Sequence, residues 1–219
     1  MIKLFKRNKI NINSISIPSF DWNKDNDERH FKQWTNVEQG ISLSVNFFDK
    51  KPDLPTIKNA QVMRDFYRER ISANNGGLIQ IDIIDLKGHP TLKSIFKFPQ
   101  QPVGMAYLSS LIIPFENYSY VIKVQATEVG ISGMRDNTIA MILLNQGKIT
   151  TGDQGYEGWT SDPYNPGIKE GVLMNISEEE QYDTDFPNHP LSLLRSSLRQ
   201  IESEISFGKE LEKTQKFKQ

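Results

Sequence analysis

The sequence predicts an α+β fold: an antiparallel β-sheet with helices packed on its faces, as in an α/β/α sandwich. Three observations carry this expectation. Five apolar runs alternate or lie between close turn signals, at Ile41–Phe47, Leu78–Asp85, Thr91–Phe98, Met105–Ile113 and Tyr118–Thr127. The last four follow one another with only turns between them, which makes an antiparallel meander. Three other stretches carry apolar residues at helical spacing, one before the meander and two after it.

Taken in order, residues 1–30 are Asn- and Lys-rich and predict a flexible arm, anchored in part by Phe20 and Trp22. In the first strand Ile41, Leu43, Val45 and Phe47 alternate with polar residues, and Lys51–Pro55 breaks it. A helix is predicted over Lys58–Ala73, with Ala60, Met63, Phe66, Tyr67 and Ile71 on its core side, and Asn74-Asn75-Gly76-Gly77 stops it. The meander follows, with a turn at Lys87–Pro90, a break at Gln100–Gly104 and a turn at Pro114–Asn117. A second helix is predicted over Ser132–Leu144, with Ser132 as N-cap and Met134, Ile139, Met141 and Ile142 as its apolar side. Ser177 and Glu180 read as a capping box for a short helix over Glu178–Asp183. Pro190 opens a last helix, whose stripe Leu191, Leu194, Leu198, Ile201 and Ile205 is expected to dock on the sheet. The tail Lys209–Gln219 is expected to fray. The domain plan is an arm (1–30), a sheet-and-helix core (31–150), and an irregular extension with its helix (151–219) packed on that core, one domain in all.

A chain of 219 residues with 37% hydrophobic and 10% aromatic residues can fill a sizeable core, which excludes global disorder. The net charge of −1 offers no basic footprint, so nucleic acid is not an expected partner. No run of apolar residues is long enough to span a membrane, and Asn11, Asn13 and Ser14 interrupt any signal-peptide core. The absence of cysteine removes disulfides, thiolate catalysis and cysteine metal sites. A cytoplasmic protein that engages no membrane is the expectation. The sequence leaves the oligomeric state open.

Motifs of chemistry are few. There is no phosphate loop, no G-x-S-x-G elbow and no H-E-x-x-H pair. Asp183, Asp185 and His189 come nearest to a metal-ligand set, but the spacing is wrong, and neither a metal nor a cofactor is expected. A hydrolytic alternative would draw Asp162, Asp183 and His189 into one cleft.

The segment Ile41–Leu144 resembles the PsbP/Mog1-like group of α/β sandwiches. The residues behind this are ISLSVNFF, NAQVMRDFYRERI, MAYLSSLIIPFENYSYVIKVQATE and the helix that begins GISGMRD. The resemblance implies a curved antiparallel sheet between helices. Members of that group mostly bind proteins, one kind docking on a photosystem and another on a small GTPase, so a protein partner is implied by analogy. No catalytic residue is carried over. The stretch from Asp162-Pro163-Tyr164 to His189-Pro190-Leu191-Ser192 lies outside the group's regular part and is similar to C-terminal extensions of uncharacterised bacterial proteins.

The candidate site falls in that extension. Tyr156, Trp159, Tyr164, Tyr182 and Phe186 crowd into one short region, and Trp and Tyr dominate interface hot spots. Glu178, Glu179, Glu180, Asp183 and Asp185 beside them favour a partner protein with a basic surface. The same aromatics would alternatively fasten the extension to the sheet. The reading is of a non-enzymatic protein-binding module whose partner meets the sheet edge or the Tyr156–Phe186 surface; a bacterial immunity or accessory protein fits this profile. A third reading is an oligomerising module acting through the Leu191–Ile205 stripe.

Overall fold

In the computed structural model, residues 10–153, 155–169, 171–212 and 214–218 are described. In chain order they form β1 (Ile15–Ser16), β2 (Asn23–Asp27), β3 (Phe31–Asn36), β4 (Ile41–Phe48), α1 (Ala60–Ser72), β5 (Gly77–Leu86), β6 (His89–Pro99), β7 (Met105–Pro114) and β8 (Ser119–Thr127). Then come α2 (Met134–Asn145), β9 (Thr150–Gly152), β10 (Gly155–Glu157), β11 (Thr160–Ser161), β12 (Met174–Asn175), α3 (Pro190–Glu204) and β13 (Ser206–Phe207). A seven-stranded antiparallel sheet runs β2-β3-β4-β8-β7-β6-β5, and helices cover both its faces. The fold is the α+β sandwich that the alternating runs predict.

The hairpins show why the meander closes. Lys87 and Gly88 have φ of 51° and 88°. Two left-handed residues make the turn whose twist matches that of the flanking strands. His89 and Pro90, expected in that turn, begin β6 instead, with Pro90 opposite Asp85. Asn75, at φ 54°, ends α1 as the sequence predicts.

Alternation along the strands separates two cores. On one face, Leu43, Val45, Ile95, Leu111, Ile113 and Ile122 meet Leu191, Leu194, Leu198, Ile201 and Ile205 of α3, all five of which are fully buried. Burial of each such side chain contributes about 1.5–3 kcal/mol. The stripe therefore lies in the chain's own core, and the oligomerising reading loses its surface. On the other face, Met63 of α1 packs with Leu78, Ile81, Leu92 and Phe96. A third cluster joins Ile139, Ala140 and Leu143 of α2 to Ile149.

Several local expectations are corrected. Residues 10–30 are not a free arm: Ile12 and Ile15 are buried in the main core, and β1 pairs with β13. The rest of the expected arm, 1–9, lies outside the described residues. Within the expected fraying tail, Leu211 and Phe217 are buried and Phe115 bridges to Lys216. Their apolar side chains find room beside the sheet, which outweighs local polarity. The cap of α2 is Gly133 at φ 73°, with no side-chain cap, in place of Ser132. The capping box is Asn175/Glu178 in place of Ser177/Glu180 and opens a single 3-10 turn; a second turn, Glu180–Tyr182, follows it.

Candidate functional site

The extension is bound to the sheet and to α1 and α2 by buried and partly buried ion pairs. Lys97 of β6 and Tyr107 of β7 stand opposite one another. Between them they hold Glu178, with Lys97 Nζ donating at 2.6 Å and Tyr107 Oη at 3.0 Å; the backbone N–H of Asn175 adds a third bond at 2.8 Å. Lys97 and Glu178 are only 3% and 1% exposed, so either one alone would be an uncompensated buried charge. Burial pushes the Tyr107 phenol well above its ordinary pKa, and the Glu178 carboxylate adds to this.

A second knot centres on Arg135 of α2. Its N–H groups donate to Ser177 O, Glu179 O, Ser192 Oγ and, twice, Asp183 Oδ1. Arg195 of α3 reaches the same Asp183 oxygen at 3.0 Å. A third contact is the fork from Arg68 to Asp162, at 2.9 and 3.0 Å. Burial raises the Asp162 pKa, but the Arg68 guanidinium and the N–H groups of Tyr164 and Asn165 outweigh it and the carboxyl is lowered.

These knots decide which way α2 faces. Drawing Arg135 inward places Ile139, Ala140 and Leu143 on the buried side. Met134, Met141 and Ile142 then point out, 55%, 60% and 44% exposed, so the expected apolar side is corrected: of those four residues only Ile139 faces the core. At 100° per residue, Met134 and Met141 lie almost in line along the helix. Val129 and Ile131, in the turn leading into α2, are exposed as well.

Beside this face lies a groove of about 600 Å³. Val129, Ile131, Met134, Phe186 and Leu193 line it, with Glu38, Glu128 and Asp185 as its carboxylates. Glu128 accepts from the N–H groups of Met105 (2.8 Å) and Gly133 (2.9 Å), which fix its orientation. His189 approaches it at 3.8 Å. Burial, with Arg135 adding to it, lowers the His189 pKa to about 4, so the ring is neutral near pH 7. Its Nδ1 accepts from Leu191 N–H and caps α3.

The sequence-predicted residues divide among these features. Trp159, Tyr182 and Phe186 pack under α2 against its buried side, and Phe186 also lines the groove. Tyr156 is 42% exposed and meets Trp159 edge to face. Tyr164 is on the other side of the sheet: its hydroxyl accepts from Ile81 N–H at 2.9 Å, and the Arg64 guanidinium lies 3.6 Å above its ring. Arg64 also donates to Ile81 O, so the outward groups of Ile81 on edge strand β5 are satisfied from within the chain. Edge strand β2 is polar and bulged. On β5 the outward backbone groups of Ile81 are thus already bonded, and β2 carries the polar residues and bulge that blunt an edge against strand addition. The hydrolytic trio does not form a cleft of its own: Asp162 is held by Arg68, Asp183 by Arg135 and Arg195, and His189 caps a helix. Among the described residues no group of His, Asp and Glu is arranged to hold a metal ion, and no helix is long and apolar enough to cross a membrane.

Sequence reasoning missed the outward face of α2. The signal was Arg135-Asp136 beside Met134: apolar residues surround α2 on all sides, so periodicity alone could not orient it.

No family model and no curated protein matches the sequence. Among solved structures, the chain is similar to the Ran-binding protein Mog1p of Saccharomyces cerevisiae, at 8% identity over 59% of this chain and 78% of that one, with a TM-score of 0.39. It is similar to a mutant of the protein Mog1, at 7% identity over 91% and 94% of the two chains, with a TM-score of 0.41. A protein of Bacteroides thetaiotaomicron is 15% identical over 75% of this chain, which spans half of that one, with a TM-score of 0.35. These likenesses are at the level of the fold and carry no function to this chain.

Proposed function

We propose that this chain is a non-enzymatic protein-binding module that meets its partner on the outward face of α2 and in the groove beside it. One observation supports the reading above the others: Val129, Ile131, Met134, Met141 and Ile142 are 44–78% exposed within a single short stretch. A folded chain seldom leaves contiguous large apolar side chains to water without a use for them, and the flexible thioether of methionine adapts to varied surfaces. Of the aromatics singled out in the sequence, Phe186 contacts the partner in the groove and Tyr156 at the periphery. Trp159, Tyr164 and Tyr182 serve by holding the extension in place. The carboxylates of Glu38, Glu128 and Asp185 favour a partner with a basic surface. The finer role we propose is that of a cytoplasmic accessory protein, a bacterial immunity protein included, which neutralises or escorts an effector.

The test is affinity capture from the native lysate with the wild-type chain and with a Met134→Asp/Met141→Asp variant. Both side chains are exposed, so the variant should unfold at the wild-type denaturant midpoint. A protein held by the wild type and retained at least about tenfold less by the variant, a loss of about 1.4 kcal/mol, supports the module. Equal retention by both sinks it.

A further inference from the structure

The groove beside α2 has a chemistry of its own, and we infer that it receives a lysine or arginine side chain of the partner protein. The inference rests on the binding reading above and adds what the groove selects. Among the described residues no lysine or arginine bonds its carboxylates. Glu128 is only 10% exposed and is oriented by two backbone N–H groups, and the sole cationic type within ion-pair distance among the described residues is His189, neutral near pH 7. Arg135 lines the same groove, but its five N–H groups are engaged by Ser177, Glu179, Asp183 and Ser192. Among the described residues no other lysine or arginine lines it. Glu38 and Asp185 stand exposed at its rim.

A largely desolvated carboxylate that no cation bonds gains strongly from an incoming one. The walls set the shape of that cation. Ile131, Met134, Phe186 and Leu193 are apolar, which suits a methylene stem with the charge at its end. A guanidinium or ammonium head at Glu128, a stem along Met134 and Phe186, and a flanking apolar residue on Met141 and Ile142 together satisfy the surface.

A phage library of random 12-residue peptides, selected on the immobilised full chain, supplies the probe. Enriched peptides are expected to share a Lys or Arg beside a large apolar residue. In synthetic form, replacing that Arg by citrulline, or that Lys by norleucine, should weaken binding to the wild-type chain at least tenfold. Glu128→Gln should weaken the cationic peptide and leave the neutral one unchanged. Glu38→Gln/Asp185→Asn, both at exposed positions, gives the same comparison without touching the hydrogen bonds of Glu128. Peptides that lose affinity with Met134→Asp/Met141→Asp but carry no cation, or ignore its removal, overturn the cation pocket and leave the binding face standing. Peptides indifferent to the α2 variant, or a library that yields no binder, overturn both. Self-association of the wild-type chain in sedimentation, lost in the α2 variant, names a second copy as the occupant and overturns the assignment to a separate partner.

Discussion

His189 shows how one side chain ties pH to stability in this fold. Its ring lies against Tyr107 at a centroid distance of 5.6 Å and caps α3, with Glu128, Asp136, Asp183, Arg135 and Arg195 as its charged neighbours. Its pKa in the folded chain is about 4, lowered chiefly by burial, against about 6.5 for an open chain. Above pH 6.5 neither state binds the proton, and the stability is intact. As the pH falls from 6.5 towards 4 the unfolded chain takes up a proton that the folded chain refuses, so stability is lost, by up to about 3 kcal/mol. Urea unfolding at pH 7, 5.5 and 4.5 should show this slope. His189→Asn, which keeps a capping acceptor, should flatten it; an unchanged slope would mean that the imidazole is not held neutral. Lys97 makes the second residue-scale prediction. Lys97→Met leaves Glu178 charged in the core and should cost about 3–5 kcal/mol. Adding Glu178→Gln should restore part of the loss, and strictly additive effects in that double-mutant cycle would show that the pair is not coupled.

At the scale of the element, α2 is the informative case. Its two faces should respond oppositely to substitution. Met141→Lys, on the exposed face, should change stability by no more than about 0.5 kcal/mol. Leu143→Ala, at a position only 4% exposed, should cost about 2–5 kcal/mol. Chemical denaturation of both variants decides the orientation: a reversed order would put the methionine stripe in the core and remove the proposed binding face. In contrast, α3 was legible from spacing alone, because Leu191, Leu194, Leu198, Ile201 and Ile205 form one stripe and all are fully buried.

At the scale of the whole molecule, the extension and the sheet complete one another. The apolar face of the sheet is covered by α3, which arrives only after residue 189, and β1 is paired by β13 at the far end of the chain. Close contact recurs at Gly77, where a Cβ would come within 2.1 Å of the carbonyl oxygen of Val172. A chain ending at residue 150 should therefore fail to fold: circular dichroism and amide proton dispersion should report an unstructured or aggregated species. A well-dispersed spectrum from that fragment would show that the sheet core stands alone and that the extension is a separate unit.

The sequence by itself determined five of the seven strands of the main sheet, the antiparallel meander of β5 to β8, the three α-helices and the inward stripe of α3, and it missed β2 and β3. Period two and period 3.6 are local patterns that survive whatever the rest of the chain does. It did not determine the face of α2, the inward turn of Glu178 or the sorting of the aromatics. Those depend on partners far away in the chain: Arg135 finds Asp183 at a separation of 48 residues, and Lys97 finds Glu178 at 81. A buried charge must meet its counter-charge wherever the fold brings it. Only the tertiary structure could show that satisfying Arg135 on the inside leaves Met134, Met141 and Ile142 on the outside.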